Sequence, residues 1–164
     1  MLLCTFSESQ KLPTSQVGNE PKNLISKTGF IITARAEEQF YVSNNLPENL
    51  RETFKPINPR RLDEDLLEVL CSRASKRILE ATLLEDFIAQ MYTAYDNSHF
   101  SSRLILRREH EKHFETANGK REVLLALKRL WARDWQFEAV LKRLDTTGKI
   151  GLDARAVYLL QAAV

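Results

Sequence analysis

Residues 62–95 contain no glycine and no proline, and their apolar side chains recur every three or four positions. Leu66, Leu67, Leu70, Cys71, Ala74, Ile78, Ala81, Leu84, Phe87, Ile88, Met91, Tyr92 and Tyr95 form one stripe. A chain with this period hides the stripe by laying it, as helix, against other apolar faces. The segment therefore predicts one helix of about 33 residues, roughly 50 Å at ~1.5 Å per residue, or two helices meeting near Thr82. Asp63, Glu64 and Asp65 stand where the positive end of a helix dipole favours acidic groups. Asp96-Asn97-Ser98 ends the segment.

A second periodic segment follows Gly119 and runs over 120–144. Val123, Leu124, Leu127, Leu130, Trp131, Phe137, Val140, Leu141 and Leu144 fall within one broad sector at ~100° per residue. Asp134 falls on the apolar side, which predicts a kink or break near Arg133-Asp134 and hence two helices. Gly148 suits a C-terminal cap and Asp153 an N-cap, with a final short apolar helix over 154–163. Residues 103–115 are expected to be helical, although Arg103-Leu104-Ile105-Leu106-Arg107 is also compatible with a strand.

The N-terminal part reads differently. Residues 1–28 are polar and aperiodic, an arm that is disordered or laid along a partner. Gly29 opens Phe30-Ile31-Ile32-Thr33-Ala34, and Gln39-Phe40-Tyr41-Val42-Ser43 is rich in strand formers, so residues 29–43 read as one β-hairpin. Pro47 suits the start of a short helical turn. The expected fold is mainly α: a helical bundle over 29–164 with one small β-hairpin near the N-terminus and helices from about 62 onward.

No apolar run approaches the ~20 residues of a membrane span. Met1-Leu2-Leu3-Cys4 lacks a basic n-region and a full apolar stretch, so no signal peptide is expected. Cys4 and Cys71 make no disulfide framework, and the cytoplasm is the expected compartment. There is no Gly-rich phosphate loop, no G-x-S-x-G elbow and no C-x-x-C pair. Asp145 to Lys149 resembles a calcium loop, but the positions where glycine and glutamate are required hold Ile150 and Ala156. His110 and His113 are three apart, one short of a zincin pair; with Glu109 or Glu115 they could hold a metal weakly. The expectation is a non-enzymatic chain without cofactor, with a weak metal-dependent enzyme as the third reading.

Charge is divided along the chain although the net is only +2. Residues 36–96 hold seven basic and twelve acidic residues; residues 97–143 hold eleven basic and six acidic. The second block contains Arg103, Arg107, Arg108, Lys120, Arg121, Lys128, Arg129, Arg133, Lys142 and Arg143, with Trp131 and Trp135 among them. Arg and Lys neutralise phosphates and release counterions, and an exposed Trp could stack on a base. These ten residues are the candidate nucleic-acid contacts, with single-stranded DNA or RNA the favoured ligand. The alternative is a helical protein-interaction module that docks on a larger partner without nucleic acid.

A short, mainly helical, non-catalytic chain with a basic face carrying Arg103, Arg107, Lys128, Arg129, Lys142 and Arg143 resembles the small subunits of CRISPR RNA-guided surveillance complexes. The resemblance covers roughly residues 60–164 and rests on size, helix layout and charge. It implies copies stacked along a larger ribonucleoprotein, supporting guide RNA and the target or displaced DNA strand. The acidic and basic blocks would suit head-to-tail stacking of such copies. The hairpin is a departure from the compact helical bundles of that family.

Overall fold

A computed structural model describes residues 3–6, 25–108, 111–151 and 153–162. Two strands come first, β1 (Leu3–Phe6) and β2 (Ile25–Ile32), then four helices, α1 (Ala34–Ser43), α2 (Leu46–Phe54), α3 (Glu64–Glu80) and α4 (Glu85–Asn97). A hairpin follows, β3 (Leu104–Arg108) and β4 (Phe114–Ala117), then α5 (Lys120–Arg133), α6 (Phe137–Thr147) and β5 (Val157–Ala162). The five strands form one antiparallel sheet in the order β1-β2-β5-β3-β4, so the last strand of the chain is its middle one. The fold is mixed α and β, with strands at both ends of the described chain as well as in its middle.

The helical periods are realised where they were strongest. The 62–95 stripe is two helices, and its inward side chains Leu67, Leu70, Cys71, Ala74, Ile78, Phe87 and Met91 are all buried. Asp63 Oδ1 accepts from the Leu66 amide at 3.0 Å and caps α3. The break at 81–84 contains neither glycine nor proline. Asn44, at the end of α1, holds it: its side-chain amide donates to Thr82 O at 2.9 Å and its Oδ1 accepts from Thr82 N at 3.0 Å. Those two bonds satisfy the backbone of an extended residue where an uninterrupted helix would have satisfied it internally. The expected break near Asp134 is also present, between α5 and α6, and Gly148 closes α6 in the left-handed region at φ 68°.

Four expectations are corrected. Residues 29–43 are not a hairpin: β2 ends at Ile32 and Gln39 to Ser43 lie in α1. Strand propensity there yields to burial at helical spacing, because Ala36, Glu37 and Phe40 turn into the core and Phe40 meets Trp131 with ring centroids 4.7 Å apart. Residues 103–115 are not helical but form the β3–β4 hairpin; Leu104, Leu106 and Arg108 alternate inward. The helix expected over 154–163 is β5, and Asp153 caps nothing helical. Val157, Tyr158, Leu159 and Leu160 are all buried, as a central strand requires, and a strand apolar on both faces has no period that separates it from a short buried helix. Of the polar arm, Leu3–Phe6 is an edge strand; residues 7–24 lie outside the described residues.

One face of the sheet, carrying Phe30, Ile32, Leu104, Leu106, Ala117, Val157 and Leu159, joins the helices in a single core. Helix α5 lies over β3 and β4 and is flanked by α3 and α4. Gly29 makes the β2–β5 pairing possible. A Cβ there would stand 2.2 Å from the Leu159 carbonyl oxygen, beside a register shift between Ile25 and Gly29. Gly29→Ala must therefore push the two central strands apart. We expect a loss of about 1–3 kcal/mol, or roughly 3–10 °C in Tm, read by thermal melting. An unchanged Tm would show that the contact relaxes freely.

Candidate nucleic-acid interface

Helix α5 buries Val123, Leu124, Ala126, Leu127, Leu130, Trp131 and Ala132, so its remaining side chains are forced outward. At ~100° per residue Arg121, Lys128, Arg129 and Arg133 project within a sector of about 140° that also holds the exposed Leu125 and Glu122. From Arg121 to Arg133 the stripe runs about 18 Å along the axis. Arg129 Nε donates to Glu115 Oε2 on β4 at 2.8 Å, which ties the stripe to the sheet. That arginine, with His113, holds the Glu115 carboxyl below its usual range, although partial burial opposes them. Arg121, Lys128 and Arg133 form no ion pair among the described residues. Partial burial lowers the Lys128 ammonium from its ordinary value.

The other expected contacts are scattered. Lys120, at the start of α5, is taken by Asp96 Oδ2 at 2.6 Å and sits 5.5 Å from the Tyr92 ring centre. Lys142 is exposed on α6, and Arg103 is exposed just ahead of β3. Arg107 alternates onto the sheet face turned away from α5. Two residues cannot serve as contacts in this arrangement. Arg108 is 1% exposed, with its guanidinium bonded inside the molecule. Arg143 is turned inward: its Nη1 donates to Asp134 O at 2.6 Å, its Nε donates to Ile150 O at 2.9 Å, and it rests over the Trp135 ring.

Both tryptophans are buried, so neither offers a base a stacking surface. Trp131 is in the core, and Trp135 stacks on Phe54 with centroids 5.7 Å apart while its Nε1 donates to the Tyr41 hydroxyl at 2.6 Å.

Arg108 belongs to a buried charge cluster that joins four parts of the chain. Its Nη1 and Nη2 donate to the two Glu37 oxygens of α1 at 2.8 and 2.7 Å, and Nη2 also donates to Asp134 Oδ2 just beyond α5. Arg155, two residues before β5, donates its amide to Glu37 at 3.0 Å and its guanidinium to Asp134 Oδ1 at 2.8 Å and to Glu111 at 2.7 Å. The hint in the sequence was Asp134 on an apolar face; Glu37, Glu111 and Arg155 gave no signal. Every carboxylate here is bonded by an arginine, so the cluster holds elements together.

His113 lies in the β3–β4 hairpin and not on a helix; its Nε2 is 3.2 Å from Glu115 Oε1, and His110 lies outside the described residues. Among the described residues no group of three metal-ligating side chains occurs. Residues 145–147 are the last turn of α6. Cys71 is a buried core residue, and burial pushes its thiol up to about 11. No helix among the described residues is long and apolar enough to cross a membrane.

Burial raises the Asp134 carboxyl from 3.8 to about 6, against the pull of Arg108 and Arg155. Between those values the folded chain holds a proton that the unfolded chain has released. This group's contribution to stability is therefore greatest at low pH and falls as pH rises through that window. Urea midpoints of the native chain and Asp134→Asn, compared from pH 4 to pH 7, should show this slope in the native chain only. A stability gap that widens in favour of the native chain as pH rises would contradict it.

The chain matches no protein-family model and no curated protein.

Proposed function

We propose that this chain is a non-catalytic binding protein that uses the outer face of α5 to hold the phosphate backbone of a nucleic acid. The observation that carries the reading is the grouping of Arg121, Lys128, Arg129 and Arg133 on one exposed helical face, three of them without an acidic partner among the described residues. Arginine and lysine on a rigid helix meet phosphates without reordering the backbone, and Arg129 and Arg133 also lie near the negative end of the α5 dipole. The face has no aromatic platform and no asparagine or glutamine to read a base edge. Backbone contact without sequence preference follows, and the expected preference moves from single strands, which need stacking, towards duplex. A place beside larger protein subunits or copies of itself, as in the CRISPR assemblies it resembles in size and charge, is one form this activity could take.

The test is fluorescence anisotropy with duplex DNA, single-stranded DNA and single-stranded RNA at several salt concentrations. With four phosphate contacts the logarithm of the binding constant should fall against the logarithm of salt with a slope of about −3 to −4. Replacing Lys128 and Arg129 together with alanine should weaken every sequence alike and flatten the slope by about 0.9 for each cation removed. Unchanged binding would make the stripe a solvated surface and favour the protein-interaction reading.

A further inference from the structure

A cleft lies away from the α5 stripe. It has a volume of about 520 Å³ and opens between α2 and the segment that follows α6. Its walls are apolar and aromatic: Tyr41, Leu50, Phe54, Ile57, Trp135 and Ile150. This volume and lining are those of sites that enclose small organic ligands.

The polar groups at the cleft are sorted by charge. Arg51 and Lys55, one turn apart on the α2 side, are the charged residues that line it among the described residues, and no carboxylate among them does. The adjoining cleft of about 290 Å³ shares Tyr41 and Pro47 but is lined by Glu37, Glu38 and Asp153. The larger cleft therefore favours an anion and the smaller one repels it. Arg51 and Lys55 do have neighbours, Glu48 at 2.5 Å and Glu52 at 3.4 Å, but these are exposed, solvent-screened pairs that an entering anion can displace.

A second observation points the same way. The Tyr41 hydroxyl accepts from Trp135 Nε1, and its own proton is given to no acceptor among the described residues. Tyr41 is thus a fixed donor on a rigid wall with one hydrogen bond left to make. The wall is held from behind by Arg143, which rests over Trp135 and bonds the Ile150 carbonyl. A site with a preset shape avoids part of the ordering loss on binding.

We infer that this cleft binds a small amphipathic anion: an apolar body of one or two rings resting along the wall of Leu50, Phe54 and Ile57, with an acidic group held by Arg51 and Lys55. This inference is independent of the nucleic-acid reading, because no residue of the α5 stripe lines the cleft.

The probe is 8-anilinonaphthalene-1-sulfonate, an aromatic anion whose emission rises in apolar surroundings, titrated into the full chain. Saturable binding of one equivalent, with energy transfer from tryptophan, is the expected result. Arg51→Glu with Lys55→Glu should weaken it about tenfold or more, whereas Arg121→Glu with Lys128→Glu should leave it unchanged. The neutral probe N-phenyl-1-naphthylamine should bind both double variants as it binds the native chain. Both changes are on exposed side chains, and thermal melts check that the variants are folded. No saturable binding, or equal affinity of the sulfonate for the Arg51/Lys55 variant, would overturn the assignment. So would a loss caused by the α5 variant.

Discussion

The interior of this protein is organised around one guanidinium. Arg108 ends the inward row of β3, where Leu104 and Leu106 before it are apolar, and its charge can stay in the core only because Glu37 and Asp134 both bond it. Glu37 comes from α1, Asp134 from the end of α5, and Arg155 from the lead-in to β5, with Glu111 from the β3–β4 connection. The cluster therefore fixes where the first helix, the basic helix and the last strand meet. Replacing such a network with apolar residues can be neutral, but removing one partner leaves a buried charge and typically costs about 3–5 kcal/mol. The middle position of β5 depends on it, since Arg155 is anchored two residues before that strand pairs with β2 and β3.

This arrangement also determines what the surface can do. Because Arg108 and Arg143 are drawn inward, the basic block of the sequence delivers fewer cations to the surface than its composition suggests. Because α5 packs its apolar side on the sheet and on α3, its other side must face solvent, and Arg121, Lys128, Arg129 and Arg133 gather there. Burial of Trp131 and Trp135 removes the stacking groups that a single-strand binder would use, and Trp135 instead becomes a wall of the cleft beside α2. One set of packing constraints thus separates a cationic helix face from an apolar, anion-favouring cleft.

Much of the helical framework was legible because its signals are local. The period of three and four over 62–95 marks α3 and α4, though not whether they are one helix or two, and the misplaced Asp134 and the glycine at 148 mark the α5–α6 break and the end of α6 to within a few residues. Phe30 to Ile32 was read as strand and closes β2, but other segments were misread for different reasons. Residues 39–43 carry strand formers yet fold as helix, because Phe40 and Glu37 must reach Trp131 and Arg108 together. Val157 to Leu160 are buried on both faces, which erases the alternation that marks a strand. In the basic block, sequence separates cations from neutral residues but does not say which cation meets a carboxylate 71 positions away, as Arg108 meets Glu37. That pairing is a property of the tertiary fold alone.

The central claim is that the outer face of α5 holds a nucleic-acid backbone, and amide-resolved NMR of the full chain on adding a short DNA duplex tests it most directly. The account predicts shift changes at Arg121, Leu125, Lys128 and Arg133 that fade as salt is raised, with the α2 residues Arg51 and Phe54 undisturbed. Changes centred on another surface, or none at low salt, would contradict it.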